Sequence, residues 1–368
     1  MLFRTPKLSA EIRSRLADLD QLRAALGARV GAATPWIGTL RRQVRAESAE
    51  SSIAIEGFAV PDAEIVDLVA GQTAPDPHDA DRMALTSYAR AMEHVAVMAG
   101  DTAFRWYDRV ILDLHFDACS FQRDKRPGRW RDHPIGVTGL TGEGMAYVAP
   151  DEKLVPKLMG EVVAWLHKGD PDVHQVVRAA MAHLHVVSVH PFTDGNGRVS
   201  RIVQSLVLAR DGLLAPEFGS IEEHLSQNTS AYYEVLQQVQ GGSYQPDRDA
   251  TPWIEFCLQA HFDQVIRRAD QLERAARRWQ DLEQLVAARG WPDRLVIALE
   301  QSVFGGAERA GYAAEADVSL PTASGDLRRL LDAGLVSQQG RTRSTRYVAT
   351  ELLHGQLDAG ATSSNVVR

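Results

Sequence analysis

The chain has 368 residues, 45% of them hydrophobic and 24% charged, with a formal charge of −8. That length exceeds one ordinary core and implies two or three domains, and the composition excludes a disordered or fibrous chain. The acidic balance argues against coating nucleic acid by bulk charge, though not against a small local DNA-reading surface.

Helical periodicity dominates the first hundred residues. Apolar and charged positions alternate at helical spacing over 9–33, and Pro35 closes that segment. A second helix is expected from Thr39 to Glu56, with Gly57 as its stop. Pro61 starts a short helix through Val69, and 78–99 reads as a longer one ending at Gly100. Cys119 and Cys257 alone supply thiols, too few for a disulfide scaffold or a cysteine-ligated zinc site, and they read as reduced structural cysteines.

From Arg126 to Pro150 the character changes. Glycines at 128, 136, 139, 142 and 144 flank the β-prone pieces Pro134–Thr138 and Met145–Val148, which predicts a hairpin or flap. Helices resume at Asp151. The segment Val173–Val189 is apolar enough for a buried central helix, and after a glycine-bearing loop another apolar helix is expected over Arg198–Arg210. Residues 241–251 read as a loop. Thr251-Pro252 then opens a long polar helix, with Thr as N-cap and Pro at the first helical position, reaching about Gly290. The leading ten residues lack the apolar core of a signal peptide, and no apolar run approaches the ~20 residues of a membrane span, so a cytoplasmic protein with no membrane partner is expected.

The loop between the two apolar helices holds the chemistry. It reads His190-Pro191-Phe192-Thr193-Asp194-Gly195-Asn196-Gly197-Arg198-Val199-Ser200-Arg201. Gly195 and Gly197 permit backbone conformations in which successive N–H groups converge on an anion. The positive end of the following helix favours phosphate. Arg198 and Arg201, three residues apart, share one helical face and can reach one polyphosphate. Asp194 offers a single hard oxygen, suited to Mg2+ that takes its other ligands from phosphates and water. His190 can abstract a proton near neutral pH. His183 and His185 lie two apart and do not share a helical face, which argues against a histidine metal cluster; His183 is expected to orient the loop.

These twelve residues resemble the Fic signature His-Pro-Phe-x-Asp/Glu-Gly-Asn-Gly-Arg-x-x-Arg at every defined position. Gly128–Arg131 and Ala146–Pro150 are similar to the pre-flap and flap of that family, and Asn228, Tyr232, Tyr233 and Leu236 to its nucleotide-side helix, so the likeness spans about 80–240. The resemblance implies protein adenylylation, with AMP passing from ATP to a Ser, Thr or Tyr hydroxyl of a protein target or of the chain itself. It implies His190 as base, Asp194 as the Mg2+ ligand, Gly195, Asn196, Gly197 and Arg198 around the phosphates, and Arg201 on the γ-phosphate. It also implies Asn228 and Tyr233 as adenine contacts, and a flap strand at 144–148 that holds the target by strand addition.

Ser52-Ile-Ala-Ile-Glu56-Gly57 fits the inhibitory pattern Ser/Thr-x-x-x-Glu-Gly/Asn of the same family. Ser52 and Glu56 lie one turn apart, so the Glu56 carboxylate can pair with Arg201 and deny it to the γ-phosphate. Toward the C-terminus, helices over 294–301, 311–317 and 320–333 followed by a hairpin with its tip at 340–346 read as a winged helix. Its arginines at 328, 329, 341, 343 and 346 are compatible with DNA contact, and protein contact or a homodimer is the competing use.

The expected fold is mainly α: a helical Fic core with a small β flap and a C-terminal winged helix-turn-helix domain. The expected order is an inhibitory region at 1–80, the core at 81–250, a connecting helix at 251–290, a winged helix at 291–350 and a flexible tail at 351–368. Two rival functions remain open, a phosphodiesterase that removes AMP and a DNA-binding regulator with a nucleotide-sensing core.

Overall fold

The computed structural model describes residues 1–138, 145–168, 173–340 and 345–363. The chain divides into two compact units, Met1–Arg29 with Val44–Arg268, and Val30–Gln43 with Ala269–Arg368. The fold is mainly α, as the periodicity predicts, with small antiparallel sheets.

In the first unit lie α1 (Ala10–Val30, except its last residue), the C-terminal part of α2 (Ile37–Ile55), α3 (Asp62–Val69), α4 (Ala80–Gly100) and α5 (Asp108–Cys119). The hairpin β1 (Gly136–Thr138) and β2 (Met145–Val148) follows, then α6 (Val155–Lys168), α7 (Gln175–Val189), α8 (Asn196–Ala209), α9 (Pro216–Gly219), α10 (Glu222–Gln227), α11 (Thr229–Gln240) and the start of α12 (Thr251–Ala288). α7 is the central helix: Arg178 apart, every residue from Val176 to Val189 is buried, which is why its sequence shows no polar face. α8 packs along it, and α4 and α5 pack on α8.

α5 is not among the elements expected from sequence. Its N-cap, Tyr107, makes no side-chain cap bond, so no start signal marks it. Its inner face nevertheless buries Ile111, Leu114, His115, Ala118 and Cys119. The hairpin is antiparallel, pairing Gly136 with Val148 and Val137 with Tyr147. The expected flap residues 139–144 lie outside the described residues. On β2, Val148 also donates its N–H to the Gly242 carbonyl at 2.9 Å, and the Tyr147 hydroxyl donates to the Ser188 carbonyl at 2.5 Å, which fastens the flap's base to α7.

The second unit holds the rest of α12, then α13 (Leu295–Val303), β3 (Ala307–Glu308), α14 (Arg309–Glu315), α15 (Leu320–Asp332), β4 (Val336–Gln339), β5 (Arg346–Ala349) and α16 (Glu351–Ser363). The sheet order is β3-β5-β4, all antiparallel. Leu299, Tyr312, Leu327, Leu330 and Leu335 form its core. Residues 351–363 of the expected tail form α16, whose Leu353 is fully buried in that core, and 364–368 lie outside the described residues. The arginines at 341 and 343 lie outside the described residues, and Arg346 is not free for a ligand, since its Nε donates to Glu308 at 3.0 Å.

Candidate active site

α7 ends at His190, which adopts a left-handed backbone conformation (φ 51°, ψ 58°) as the helix C-cap. For a residue with a Cβ this costs about 1–2 kcal/mol, so the surroundings must impose it. Arg131 supplies much of that constraint. Its Nε donates to the His190 carbonyl at 2.8 Å, Nη1 to the His133 carbonyl at 2.9 Å and Nη2 to the Pro150 carbonyl at 2.5 Å, while its own N–H donates to the Pro191 carbonyl. One buried guanidinium thus joins the loop to both strands' flanks. The imidazole of His190 sets its Nδ1 3.2 Å from the Val187 carbonyl. A carbonyl can only accept, so Nδ1 carries the proton and Nε2 keeps the free lone pair. Burial, with Arg131 adding repulsion, pushes the His190 pKa down to about 4, so the ring is a neutral base at physiological pH.

Below His190 the loop is packed and clamped. Phe192 is fully buried, stacked on His115 with ring centroids 3.7 Å apart and flanked by Trp130 at 5.1 Å. The Asn196 side chain accepts from the Phe192 N–H and donates to the Phe192 carbonyl, both at 2.9 Å. Sequence placed Asn196 at the phosphates; its side chain is spent on the loop, and only its backbone remains for an anion. His115, from the unexpected α5, accepts from the Gly128 N–H on Nδ1 and therefore donates from Nε2 to the Asp194 carbonyl, 3.0 Å away. Burial keeps its pKa near about 4, which preserves that tautomer.

α8 begins at Asn196, two residues before the expected start. Its N-cap, Gly195, is left-handed (φ 77°) and makes no cap bond, so the first turn's N–H groups have no side-chain cap from that residue. A Cβ on Gly195 would stand 2.4 Å from the Cys119 sulfur, so only glycine fits. At Gly197 a Cβ would stand 2.4 Å from Glu56 Oε1 and 3.1 Å from Arg201 Nη1. The Glu56 carboxylate therefore already lies against the positive end of α8, where an anion would bind.

Arg201 is buried and held by the end of α2. Its Nε donates to Ser52 Oγ at 2.9 Å, and Nη2 donates to the Ser52 carbonyl at 3.0 Å and to Glu56 Oε1 at 2.9 Å. Burial opposes its charge, but Glu56 and the hydroxyls of Tyr232 and Tyr88 keep it protonated. Nη1 has no hydrogen-bond partner among the described residues. Gly57, left-handed at φ 86°, ends α2 and sets Glu56 at this point.

Arg198 lies against the adjoining rings of Phe58 and Phe121, 5.6 and 5.8 Å from their centroids, and donates to Gln122 Oε1 at 3.0 Å. Gln122 in turn donates to Asp194 Oδ2 at 3.0 Å. Asp194 stays about one-third exposed, and among the described residues no group of three or more His, Cys, Asp or Glu is arranged to hold a metal. Its single accessible carboxylate fits a cation that finds its other ligands on phosphate and water.

Of the two expected adenine contacts, the structure brings only Tyr233 toward the ion pair: half-buried, it feels the charges of Glu56 and Arg201. Asn228 is exposed, and its amide donates to the His224 carbonyl at 2.8 Å. His183 does not orient the loop. Its Nδ1 meets Gln204 Oε1 at 2.6 Å and its Nε2 meets the Tyr232 hydroxyl at 3.1 Å, tying α7 to α8 and α11. Sequence did not single out Gln122, His115, Phe58 or Phe121, and the role of Arg131 was hidden inside the pre-flap likeness.

Residues 106–208 match the Fic/DOC family. A protein of Nematostella vectensis named "Protein adenylyltransferase Fic" is 27% identical over 191 residues, covering 48% of this chain and 40% of that protein. Its namesake in Drosophila willistoni is 26% identical over 247 residues, covering 63% and 44%. The chain thus spans less than half the length of these curated relatives. A Fic family protein from Desulfovibrio desulfuricans G20 superposes with a TM-score of 0.59 at 20% identity, over 94% of this chain and 98% of that one. Fic-1 of C. elegans (residues 134–508) gives 0.58 at 20%, over 72% and 73%. Those superpositions show a shared fold, and the stretch of this helical chain that matches the Fic/DOC family, residues 106–208, contains the loop from His190 to Arg201.

Proposed function

We propose that this protein transfers AMP from Mg-ATP to a Ser, Thr or Tyr hydroxyl of a protein, and that Glu56 holds the reaction back by occupying Arg201. The observation that carries this reading is the Glu56 carboxylate seated between Gly197 and Arg201, 2.9 Å from Nη2, at the positive end of α8. The names of the curated relatives support the same chemistry.

The residues present fit a triphosphate: Gly197 leaves room for backbone approach, and Arg201 Nη1 and Arg198 Nε are buried donors without partners among the described residues. Nε2 of His190 takes the proton of the target hydroxyl. The hydroxyl oxygen then bonds to the α-phosphorus, the bond to the β-phosphate oxygen breaks, and pyrophosphate leaves. Asp194 would hold Mg2+, which when bound offsets phosphate charge. Arg201, once freed of Glu56, grips the γ-phosphate and fixes the direction of attack. β2 offers its backbone to the target segment.

The test is intact-mass spectrometry of Glu56→Gly protein after incubation with Mg-ATP, beside the same variant carrying His190→Ala. An added AMP group in the first and none in the second supports the reading; no AMP in the first, with nucleotide binding shown, contradicts it.

A second reading concerns the unit containing α13–α16. Its order of helix, strand, two helices and two strands supports a winged helix, with Arg328 and Arg329 exposed on α15 as its duplex-facing charges. Binding of genomic fragments that weakens steeply with salt, and less steeply in Arg328→Ala/Arg329→Ala, would support it.

A further inference from the structure

Glu222 is a buried carboxylate that the reaction above does not use. It is 1% exposed at the start of α10. Its Oε1 accepts from the Tyr88 hydroxyl at 2.8 Å and from Ser205 Oγ at 3.4 Å, and its Oε2 from Ser48 Oγ at 3.5 Å. It shares a small cavity of mixed lining with Arg201, Gln204, Ser205, Ser220, His261 and Leu208. The Ser52 hydroxyl, which accepts from Arg201 Nε at 2.9 Å, acts electrostatically on the Tyr88 phenol. Arginine has no acceptor and an ionised carboxylate has no donor, so the polarity of this chain is set at both ends. Arg201 donates to Ser52 at one end, and Tyr88 donates to Glu222 at the other.

We infer that Glu222 is a second, buried counter-charge on Arg201, coupled to it through Ser52 and Tyr88, and that its protonation sets how strongly Arg201 attracts the terminal phosphate. Glu222 is a positioning residue in this account, and the inference rests on the Mg-ATP reading.

The electrostatics are consistent with that geometry. Burial disfavours the Glu222 charge, Tyr88 favours it, the neighbouring Glu223 disfavours it and Arg201 favours it; the balance raises the pKa to about 7. The groups facing it from other elements keep their state near neutrality. Burial holds the Tyr88 phenol far above its ordinary range and His261 down at about 3. On α10 itself, burial also raises the pKa of Glu223, against its pairing with Arg268. When a phosphate pairs with Arg201, the cation that supported the Glu222 charge is neutralised, and Glu222 takes up a proton. By reciprocity a protonated Glu222 strengthens phosphate binding, so affinity falls as pH rises through the Glu222 titration.

The experiment is calorimetric titration of full-length Glu56→Gly with Mg-ATP between pH 6.5 and 8, in buffers of different ionisation enthalpy. The expected result is net proton uptake on binding and a Kd that rises about threefold across the range, the effect of half a pKa unit of coupling. In Glu56→Gly/Glu222→Gln the amide still accepts from Tyr88. That variant should bind with a pH-independent Kd and without the extra proton. A merely structural role for Glu222 would weaken folding or binding at every pH and leave the uptake in place. Should Glu222→Gln fail to fold, Tyr88→Phe removes the bond that favours the Glu222 charge and should move the uptake to higher pH. The same uptake in all variants overturns the inference. If Glu56→Gly binds no Mg-ATP at any pH, the adenylyl-transfer reading fails instead. The same titration with pyrophosphate then reads the Arg201–Glu222 coupling alone, uptake supporting it and none overturning it.

Discussion

At the His190 end of the loop the restraints run to backbone carbonyls, whereas at the Arg201 end they run to a charge. Arg131 spends its guanidinium on the carbonyls of His190, His133 and Pro150, none of which a ligand can replace. Arg201 spends part of its own on Glu56, a carboxylate that a phosphate can replace. On the proposed reading, the first end is therefore built in its working geometry, and the second is built around a substitute for the substrate. Removing one partner of a buried ion pair costs about 3–5 kcal/mol because the other charge is stranded. Here the two bonds to Ser52 would remain to steady Arg201, and the stranded charge becomes an attraction for an anion.

The largest effect should come from the finished end. His190→Ala should lower AMP transfer about 1000-fold while leaving Mg-ATP affinity nearly unchanged, since His190 makes no phosphate contact in this account. Single-turnover labelling beside calorimetric binding checks both halves.

Arg131→Ala strands three carbonyls and releases the left-handed His190. It should destabilise the fold by about 3 kcal/mol and slow transfer about 100-fold, because each unmet buried group costs about 1–3 kcal/mol and a 1 Å displacement of a reacting group costs about that factor. Denaturant unfolding and labelling rates measure these separately. A mutant as stable as the parent would break the contrast between the two ends.

Acid should also act on the packed side of the loop. Burial lowers the pKa of His115 to about 4 and of His183, His185 and His261 to about 3. As pH falls below about 6.5 the unfolded chain binds protons at these sites and the native chain does not, so stability must fall until the native values are reached. Each histidine contributes a slope approaching about 1.4 kcal/mol per pH unit in that window. Urea midpoints at pH 7 and pH 5 should therefore differ clearly, and His183→Gln should reduce the difference.

The smallest effect sharpens the nucleotide side. Tyr233→Ala should raise the KM for ATP several-fold and Asn228→Ala less than about twofold, because Tyr233 is half-buried and within electrostatic reach of Glu56 and Arg201 whereas Asn228 is exposed and bonded to the His224 carbonyl. Equal effects would return Asn228 to the adenine.

Which of these parts sequence could reveal follows from how each is encoded. The loop from His190 to Arg201 was legible because its geometry demands adjacent residues of fixed type. Glu56 was legible because Ser52 and Glu56 are one turn apart, and their meeting with Arg201 spans 145 positions yet needs only two local patterns. His115, Gln122 and Glu222 were not, since each is a single residue whose role arises only when distant helices pack. α5 escaped because it lacks a cap signal, and the helix over 351–363 because, among the described residues, only Leu353 and Leu357 tie it to a core assembled from distant elements.

The central claim is that the carboxylate of Glu56 silences an otherwise complete site by holding Arg201. It is tested most directly by the initial rate of AMP incorporation from saturating Mg-ATP in Glu56→Gly relative to the unaltered protein, with Glu56→Gly/Arg201→Ala alongside. The account predicts a rise of about tenfold or more, since one displaced phosphate anchor costs about 100-fold in rate, and loss of most of that gain when Arg201 is removed. Equal rates in the two proteins would contradict it, and a fall in Glu56→Gly would assign the carboxylate to chemistry, as in removal of AMP.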